Sequence, residues 1–459
     1  MLVVECGEEH RAEREYILAV LLGEFLGLEF EIRWRAGAEV VISSTDAGDH
    51  RRVRVADVLF ASSESLLDPG ALPRTPLQRC PAGAAPGALL LGEIPVIYGK
   101  ELAGGGYVAH DGDEVRLGVD VFGGAFAQLS LLEEAVSGER DAHDRFPAEA
   151  SLAVREGFAA RPVVDECVEL LWWGLSRLWP RLSRRSHAFV VRPTHDVDWP
   201  FYSRGRPIES VRDAVRDTVV RHDRSLARAR ISALFAVLRA GRNADPCNTF
   251  DFLMAESESR GLTSAFYFIA GRTDRARDPG YPLDDVWIRS LLRRIDEHGH
   301  EIGLHPSYGT LRAREALRAE REALTRVMRA EGIDREVAAG RQHFLRFENP
   351  TTWADWDHVG LRHDSTVGFA SLCGFRAGTC REYPVFDLAA RRQLQLRERP
   401  LVAMETALLS YQGTSLDALV EGFRSLRETC RRFDGTFTFL WHNNRLVTPA
   451  EREAYAAVL

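Results

Sequence analysis

The sequence predicts an α/β protein built from a smaller domain followed by a larger one. From residue 186 onward, apolar strand-like segments alternate with amphipathic helical segments, which is typical of a parallel sheet, either open or closed into a barrel. The residues before 150 also combine helical and strand periodicity. A chain of 459 residues is long enough for two or three domains. We therefore predict an α/β domain over 1–150, a connecting helical segment over 151–185 and a second domain over 186–459.

Short periodic segments support the α/β prediction for the first domain. Apolar residues recur at helical spacing from Glu15 to Leu26, and residues 28–33 alternate in polarity as a half-buried strand does. Further strands are predicted at Glu39–Ile42, Ala56–Phe60, Ile94–Tyr98 and Val115–Val121, and a helix around Ala127–Ala135. The proline- and glycine-rich stretch Pro69–Gly87 is predicted to be a loop. No motif in this domain assigns it a role.

The segment Val164–Trp179 is predicted to connect the two domains. It carries apolar residues on most helical faces, including Trp172, Trp173 and Trp179. Such a pattern is typical of a buried helix that packs one domain on the other. The alternative is an aromatic surface that binds a sugar, and we favour the buried helix.

Strands of the second domain are predicted wherever a short apolar run is bounded by turn residues. These runs are Phe189–Arg192, Ser264–Ile269, Glu301–Leu304, Ala338–Gln342, Leu401–Met404 and Thr436–Trp441, with helices such as Trp287–His298 and Arg314–Glu331 between them. In parallel α/β folds the functional residues lie at the carboxyl ends of the strands. The site is therefore expected where these runs end.

Composition excludes several functional classes. A formal net charge of -8 argues against general nucleic-acid binding, which requires a basic excess. The 7 cysteines form no CxxC pair, so neither a disulfide framework nor a cysteine zinc site is expected. The first residues bring charges at once and no apolar signal core, and no run is long and apolar enough to span a bilayer. We expect a cytoplasmic protein.

Two of the predicted strand ends carry residues suited to metal chemistry. Asp196 and Asp198 lie two positions apart, so both would face the same side if the strand continued, and one could bind a metal while the other stays free as a base. The alternative is a pair of turn or helix-capping aspartates. His305 follows an apolar strand and precedes a proline, where a neutral imidazole suits zinc or a similar ion. The alternative is a structural histidine.

Two more strand ends carry residues that could support a reaction. Arg341 could pair with a carboxylate across the site and keep it ionised, or it could form a salt bridge at the rim. His442 ends the last apolar strand and could act as a general acid, or it could be structural. Four polar clusters at the positions where an α/β fold places its site favour the functional interpretation.

Taken together, these motifs resemble the polysaccharide deacetylase (NodB-homology) family. Thr194–Asp198 looks like the first motif of that family in its Asp-x-Asp form, and Gly299–His305 is similar to the second. Arg341 begins a segment placed like the third motif, and Leu440–His442 matches the position of the fifth. The resemblance covers about residues 186–459, roughly three fifths of the chain. The pattern looks like a divergent bacterial subgroup with an added N-terminal α/β domain.

The resemblance implies a distorted (β/α) barrel and a hydrolytic divalent metal, zinc or cobalt. Asp196 would be the base that activates the attacking water, oriented by Arg341. Asp198 and His305 would bind the metal, and His442 would protonate the leaving amine. These roles suit amide hydrolysis, which needs an activated water, a polarised carbonyl and a proton for nitrogen.

One metal ligand implied by the resemblance is absent from its usual place. The second histidine of the family lies four residues after the first, where this chain has Gly309. A catalytic zinc usually takes three protein ligands, and His300 would lie at the wrong end of the strand that His305 ends. His343 lies near the end of the next strand, and consecutive strands are usually neighbours. We predict that His343 is the third ligand; alternatively, it hydrogen-bonds only to substrate or backbone.

Three functions are consistent with these residues. We favour removal of an acyl group, acetyl in the first instance, from an N-acylated sugar or oligosaccharide precursor during assembly of a surface polysaccharide. The first alternative is hydrolysis of another C–N bond, as in imides or cyclic ureides. The second is a glycan-binding protein that has lost catalysis, which the glycine at position 309 motivates. The presence of Asp196, Asp198, His305 and His442 favours the enzyme.

A basic segment, Arg221–Arg242, raises the question of a membrane partner. Its arginines flank an apolar stripe of Ile231, Leu234, Phe235 and Leu238. A basic amphipathic helix can lie on an anionic membrane. We favour a solvated helix that this stripe packs against the second domain.

Overall fold

The structure is a computed structural model that describes residues 1–37, 39–201, 211–212, 214–215, 218–219 and 224–459, with the backbone alone for 224–230. Within these residues the strands are β1 (Leu2–Cys6), β2 (Phe30–Trp34), β3 (Glu39–Ser44), β4 (Arg52–Ala56), β5 (Gln78–Cys80), β6 (Ile94–Val96), β7 (Val108–Asp111), β8 (Glu114–Leu117), β9 (Val190–Val197), β10 (Ala265–Phe268), β11 (Glu301–Leu304), β12 (Ala339–Gly340), β13 (His363–Asp364), β14 (Tyr383–Asp387), β15 (Arg392–Glu398), β16 (Ala403–Met404) and β17 (Thr436–Leu440).

α-Helices separate all successive strands from β8 to β13, as the predicted α/β class requires. In the described chain the α-helices span Arg11–Leu18, Leu59–Ser62, Val121–Leu129, Leu132–Val136, Leu152–Arg155, Val163–Leu178, Arg224–Ala240, Phe250–Glu258, Val286–Glu297, Arg314–Ala330, Thr351–His358, Leu416–Arg432 and Pro449–Val458. Two π-helical stretches, Ala19–Phe25 and Ala407–Tyr411, add to them. The helices predicted at Trp287–His298 and Arg314–Glu331 are confirmed to within one residue.

The first sheet is mixed and belongs to the N-terminal part of the chain. Its strand order over the described residues is β2-β1-β3-β4-β8-β7, with β1 parallel to β2 and antiparallel to β3. The helix Val163–Leu178 packs against this sheet, and Gly174 allows close approach, since a β-carbon there would lie 3.2 Å from Val115. Trp173 and Trp179 are buried, so the buried-helix interpretation is confirmed over the sugar-binding surface.

The strand predicted at Ala56–Phe60 is wrong. The strand there is β4, which ends at Ala56, and a short helix follows over Leu59–Ser62. In β4 the valines are buried while Arg54 lies on the other face and pairs with Glu114 at 2.8 Å. Alternating arginine and valine is the pattern of a half-buried strand. A search for apolar runs misses this strand because the arginines interrupt the run.

The second sheet carries the predicted strand ends. In the described residues its order is β14-β15-β13-β12-β11-β10-β9-β17-β16, and all neighbours are parallel except β14 and β15. Strands that follow one another along the chain are mostly neighbours, and the last strand, β17, lies beside β9. No pairing in the described part of the chain joins β14 to β16, so closure into a barrel is not shown.

Register brings the carboxyl ends of these strands to one edge of the sheet. Leu304 of β11 pairs with Gly340 of β12, and Leu440 of β17 pairs with Thr194 of β9. The residues that follow these positions in the sequence therefore meet at one edge. The strand predicted at Glu301–Leu304 has the bounds that the structure shows.

The two sheets share one hydrophobic core and several polar contacts. Buried side chains of both sheets belong to a single apolar cluster. Glu134 receives two hydrogen bonds from the buried Arg376 guanidinium, at 2.7 and 2.5 Å, and Tyr16 donates to the carbonyl of Pro384 at 2.7 Å. The N-terminal part is thus packed tightly on the larger sheet. The domain limits at 150 and 185 stay predictions.

The basic segment Arg221–Arg242 falls partly outside the described residues. Arg221 lies outside them, as do the side chains of 224–230. Of the apolar stripe, Leu234 is buried, whereas Phe235 and Leu238 are 66% and 62% exposed. The stripe is therefore only partly packed, and the choice between the two interpretations stays a prediction. Among the described helices, none combines the length and the apolar character that crossing a membrane requires.

Candidate metal centre and active site

Strand β9 presents Asp196 and His195 to opposite faces, as the period of a strand dictates. His195 is enclosed on the far side, where Nδ1 lies 2.7 Å from the carbonyl oxygen of Trp441 and Nε2 lies 3.3 Å from Ser264 Oγ. Burial lowers the pKa of His195 to about 4, so this histidine is neutral and structural. Asp196 is almost fully buried and faces the opposite side, where it lines a cavity.

Arg341 contacts Asp196 at the end of β12. Its side chain is fully buried, and Nη1 donates to Asp196 Oδ1 at 2.9 Å. Nε donates to the carbonyl of Ser365 at 2.8 Å, and Nη2 donates to Ser365 Oγ at 2.9 Å. A guanidinium held by three hydrogen bonds fixes the orientation of Asp196. Oδ2 of Asp196 remains directed towards His305, 3.6 Å from its Nε2.

Asp198, His305 and His343 form a cluster beside Asp196. Asp198 Oδ1 lies 3.3 Å from His305 Nε2 and 3.8 Å from His343 Nε2. One ligand atom from each residue lies within 4.8 Å of the others. The remaining ring nitrogens have other partners, since His305 Nδ1 lies 2.5 Å from the carbonyl oxygen of Arg341 and His343 Nδ1 lies 3.0 Å from Asp278 Oδ1. Such partners fix the tautomer and orientation of metal-binding histidines.

The chemistry of this cluster fits a divalent metal. Asp198 Oδ1 is buried and has no hydrogen-bond partner among the described residues, a costly state unless something else satisfies it. Burial by itself would raise the pKa of Asp198, but His343, His305 and His442 together lower it, so the carboxylate is charged at neutral pH. One carboxylate and two imidazoles are a common ligand set for catalytic zinc.

Asp278 is a member of the site that sequence reasoning missed. Besides facing His343, its Oδ1 accepts from the backbone N–H of Tyr308 at 2.7 Å, and its Oδ2 accepts from the N–H of Asp274 at 2.7 Å. Burial would raise the pKa of Asp278, but these hydrogen bonds lower it. The signal was available, because Asp278 follows β10, the strand adjacent to β11.

His442 lies across the cluster, bound to a buried carboxylate. Its Nδ1 is 2.6 Å from Glu405 Oε1, and its Nε2 is 3.7 Å from Asp198 Oδ2. Burial would lower the pKa of His442, but the charge of Glu405 and its hydrogen bond, with Asp198 and Asp196, raise it to about 9. His442 is therefore protonated at neutral pH. Glu405 was also missed, although it directly follows the run predicted at Leu401–Met404.

His300, which was weighed as a ligand, and Gly309, which stands in place of the family's second histidine, both lie outside the cluster. His300 lies at the opposite end of β11, where its Nδ1 accepts from the backbone N–H of Ser264 at 3.0 Å. Gly309 lies in an exposed turn at the rim. Three of the six predicted site residues, Asp198, His305 and His343, form the cluster. Asp196 and His442 contact this cluster, and Arg341 contacts Asp196. The structure thus brings all six together.

Five of these side chains, all except the buried Arg341, line a cavity of about 230 Å³. Apolar and aromatic walls, including Trp199, Met404, Leu440 and Tyr411, face the charged groups. Arg145 also lines the cavity, although it belongs to the N-terminal part of the chain. A small cavity that is apolar on one side and charged on the other suits a substrate with one polarised group to be converted.

Comparison with known proteins gives one family match and similarities to solved structures. Residues 2–180 match a family of unknown function (DUF7033). No curated protein matches the chain. What the site can do follows from its own residues.

Among solved structures, the chain is similar to a candidate polysaccharide deacetylase from Mycobacterium smegmatis, with 14% identity, a TM-score of 0.39, and coverage of 60% of this chain and 83% of the other. It is similar to a family 4 carbohydrate esterase from Streptomyces lividans, solved with acetate, at 12% identity and a TM-score of 0.28, covering 59% and 88%. It is also similar to Puue allantoinase, at 11% identity and a TM-score of 0.34, covering 59% and 82%.

Proposed function

We propose that this chain is a metal-dependent hydrolase that removes an N-acyl group, acetyl in the first instance, from an amino sugar or a short N-acylated oligosaccharide. One observation carries the proposal. The Asp196–Arg341 pair, the Asp198–His305–His343 cluster and the Glu405–His442 pair converge on a single cavity. A base, a metal site and an acid within one cavity are the components that amide hydrolysis requires.

Each residue has a distinct role in this proposal. Asp198, His305 and His343 hold a divalent metal, zinc or cobalt, which supplies polarisation of the acyl carbonyl and acidification of a water molecule. Asp196 accepts the proton of the attacking water at Oδ2, because Arg341 occupies its Oδ1. General acid and base groups each contribute about 10²- to 10⁴-fold to such reactions.

His442 provides the proton for the leaving nitrogen. Its Nδ1 is held by Glu405, so Nε2 is the atom directed at the cavity. An imidazolium is the form that donates, and the raised pKa of His442 keeps this form populated at neutral pH. Asp196 and His442 each lie within 4 Å of a metal-cluster residue and line the same cavity.

The proposal includes a distorted (β/α) barrel for the second domain. Support comes from the strand order, in which chain neighbours are mostly sheet neighbours and β17 lies beside β9. That order is the one that a singly wound parallel barrel needs. A barrel would also explain why the polar residues after β9, β11, β12 and β17 share one cavity.

The activity test uses the purified chain with Zn²⁺ or Co²⁺ and a panel of N-acetylated sugars and oligosaccharides. Release of acetate that depends on the added metal is the expected result. Asp196→Asn should keep the metal and lose about 10²- to 10⁴-fold in activity, since the water loses its base. Asp198→Asn should lose metal and activity together. Asp417→Asn, an exposed aspartate, is the control and should leave both unchanged.

Several outcomes would contradict this function. Nearly wild-type activity of Asp196→Asn would remove the assigned base. Inhibition by small cyclic amides and not by chito-oligosaccharides would point to another C–N bond. A protein that takes up neither metal and releases no acetate would fit a glycan-binding protein that has lost catalysis.

A further inference from the structure

His343 lies in a turn with an unfavourable backbone. The two residues after it, Phe344 and Leu345, have φ values of 62° and 52°. This left-handed region is unfavourable for residues that carry a β-carbon, and two such residues in succession are rarer still. A conformation of this kind persists only where surrounding contacts hold it. The contacts around this turn therefore determine where the imidazole of His343 points.

On one side the second domain supports the turn. The backbone N–H of His343 donates to the carbonyl of Pro306 at 3.3 Å, and the His343 ring faces Asp278. These contacts hold the start of the turn, and Nη1 of Arg346 also donates to the carbonyl of Tyr308. The carbonyl of Phe344 and the remaining nitrogens of Arg346 lie on the outer face of the turn and have other partners.

On the outer face the partner is a loop of the N-terminal domain, residues 141–145. Nη1 of Arg145 donates to the carbonyl of Phe344 at 3.1 Å. Nε of Arg346 donates to the carbonyl of His143 at 2.8 Å, and its Nη2 donates to Asp144 Oδ2 at 2.7 Å. The rings of His143 and Phe344 lie 4.8 Å apart. The loop thus binds the carbonyl of Phe344, within the left-handed segment, and the side chain of Arg346, which follows that segment.

The 141–145 loop has its own internal support. Oδ1 of Asp141 accepts from the backbone N–H groups of His143, at 2.8 Å, and Arg145, at 3.0 Å. Oδ2 of Asp141 accepts from Nε of Arg145 at 2.7 Å. Asp141 therefore shapes the loop and aims the guanidinium of Arg145 at the turn, although Asp141 does not line the cavity.

The segment that precedes the 141–145 loop also contacts the second domain. Asn349 donates from Nδ2 to the carbonyl oxygens of Ser130 and Leu131, at 2.6 and 2.9 Å. Glu134 binds Arg376 through two hydrogen bonds between buried side chains. The N-terminal domain therefore approaches the His343 turn as a fixed body.

We propose that the N-terminal domain completes the metal site: its 141–145 loop holds the turn that carries His343 in the conformation that lets this histidine bind the metal. Arg145 and Arg346 are positioning residues in this arrangement, acting through Phe344 and the backbone. The proposal rests on the proposed metal-dependent function. It gives the added N-terminal domain a role inside the active site.

The test measures binding of the metal alone. Zn²⁺ affinity is determined by competition with a chromophoric chelator, and the visible absorption spectrum of the Co²⁺-loaded protein reports the ligand set. Asp141→Ala and Arg346→Ala should each lower the affinity by about 10- to 100-fold, the effect usual for groups that orient a metal ligand. Their Co²⁺ spectra should shift towards that of His343→Ala.

A double variant distinguishes positioning from general damage. If the loop acts through His343, Asp141→Ala should add little to the loss already caused by His343→Ala, because the two changes remove the same interaction. Arg391→Ala is the matched control: this exposed arginine pairs with Glu13 across the same two domains but does not contact the turn. It should retain wild-type affinity and spectrum.

The outcomes separate this proposal from the function on which it rests. Wild-type affinity and spectrum in Asp141→Ala and Arg346→Ala, with a loss in His343→Ala, would overturn the role of the loop and leave the metal site standing. No loss in His343→Ala would overturn the ligand set itself. If Asp141→Ala does not fold, as judged by thermal unfolding, Arg346→Lys replaces it, because lysine keeps the charge but cannot reach His143 and Asp144 together.

Discussion

The turns that follow β11 and β12 each give one histidine to the metal cluster, yet they are built differently. The first, residues 305–310, begins with His305 and rests on the buried Glu320, which accepts hydrogen bonds from the backbone N–H and the hydroxyl of Ser307. The second, residues 341–346, contains left-handed residues and rests on the second domain on one side and on the N-terminal domain on the other. The first turn rests on the second domain and meets the N-terminal domain only through a side chain, that of Tyr308, whose hydroxyl lies 3.2 Å from His143 Nδ1. In the second turn the N-terminal domain binds the backbone itself, at the carbonyl of Phe344.

This difference explains how a metal cluster can form although position 309 carries no histidine. A β-carbon on Gly309 would lie 2.8 Å from Cβ and Oγ1 of Thr273, so the loop after β10 closes against the first turn. The backbone N–H of Gly309 also donates to Thr273 Oγ1 at 2.6 Å. His343 reaches the cluster from the neighbouring strand instead. Asp278 serves both turns, since its Oδ1 binds the N–H of Tyr308 and faces His343.

The largest effect is expected from His343→Ala. Loss of a direct ligand should lower Zn²⁺ affinity by more than about 100-fold, beyond the effect of an orienting group. Adding Gly309→His should not restore it, because the new β-carbon would meet Thr273. Chelator competition on the single and double variants measures both. Restored affinity in the double variant would show that the two turns are interchangeable.

A smaller effect is expected from Asp278→Asn, which changes a carboxylate that contacts both turns from behind the metal cluster. The amide keeps the size of the side chain but weakens the partner of His343 Nδ1, so Zn²⁺ affinity should fall by about 10- to 100-fold. Asp274→Asn is the control, since Asp274 belongs to the same loop and pairs with Arg277 without contacting His343. Equal affinities in the two variants would mean that Asp278 does not orient the ligand.

The sequence predicts the first turn better than the second. His305 directly follows β11, Asp196 lies at the end of β9 and Asp198 directly follows it, so strand periodicity and residue type were enough to place them. His343 was predicted from strand order alone, and the structure places it in the cluster. Its supports were not foreseen: Asp278 lies 65 positions away, and Arg145 lies 199 positions from the carbonyl that it binds.

Contacts over such separations depend on how whole elements pack, which a local pattern does not record. The same reason applies to two strands that were not predicted. These are β1, the apolar strand Leu2–Cys6, and the short strand β13, where the sequence has no periodic run. The α/β class and the edge that carries the site were predictable because alternation and strand ends are local properties. Closure of the second sheet depends on its far strands, β14 to β16, two of which were not predicted.

The smallest effect concerns the carboxyl pair behind the second turn, and it appears only as a change with pH. Gln342 donates its N–H to Thr366 Oγ1, and the Thr366 hydroxyl donates to Asp364. Asp364 pairs with Glu398 of β15, and both are fully buried. Burial, together with the charge of Asp364, raises the pKa of Glu398 well above its usual range, so the pair retains a proton. Behind the first turn, burial also raises the pKa of Glu320, although the two hydrogen bonds from Ser307 oppose this shift.

The sign of the effect follows from linkage. A carboxyl whose pKa is raised in the folded state contributes stability that is complete below its unfolded pKa, near 4.5, and is lost as pH rises towards the folded value. The free energy of unfolding should therefore fall as the pH rises above about 4.5, by at most ~1.4 kcal/mol per pH unit for one proton. Glu398→Gln cannot bind that proton, so its urea-unfolding free energy should depend less on pH. The exposed Glu428→Gln should keep the wild-type slope, and an equal slope in Glu398→Gln would mean that the second turn rests on no retained proton.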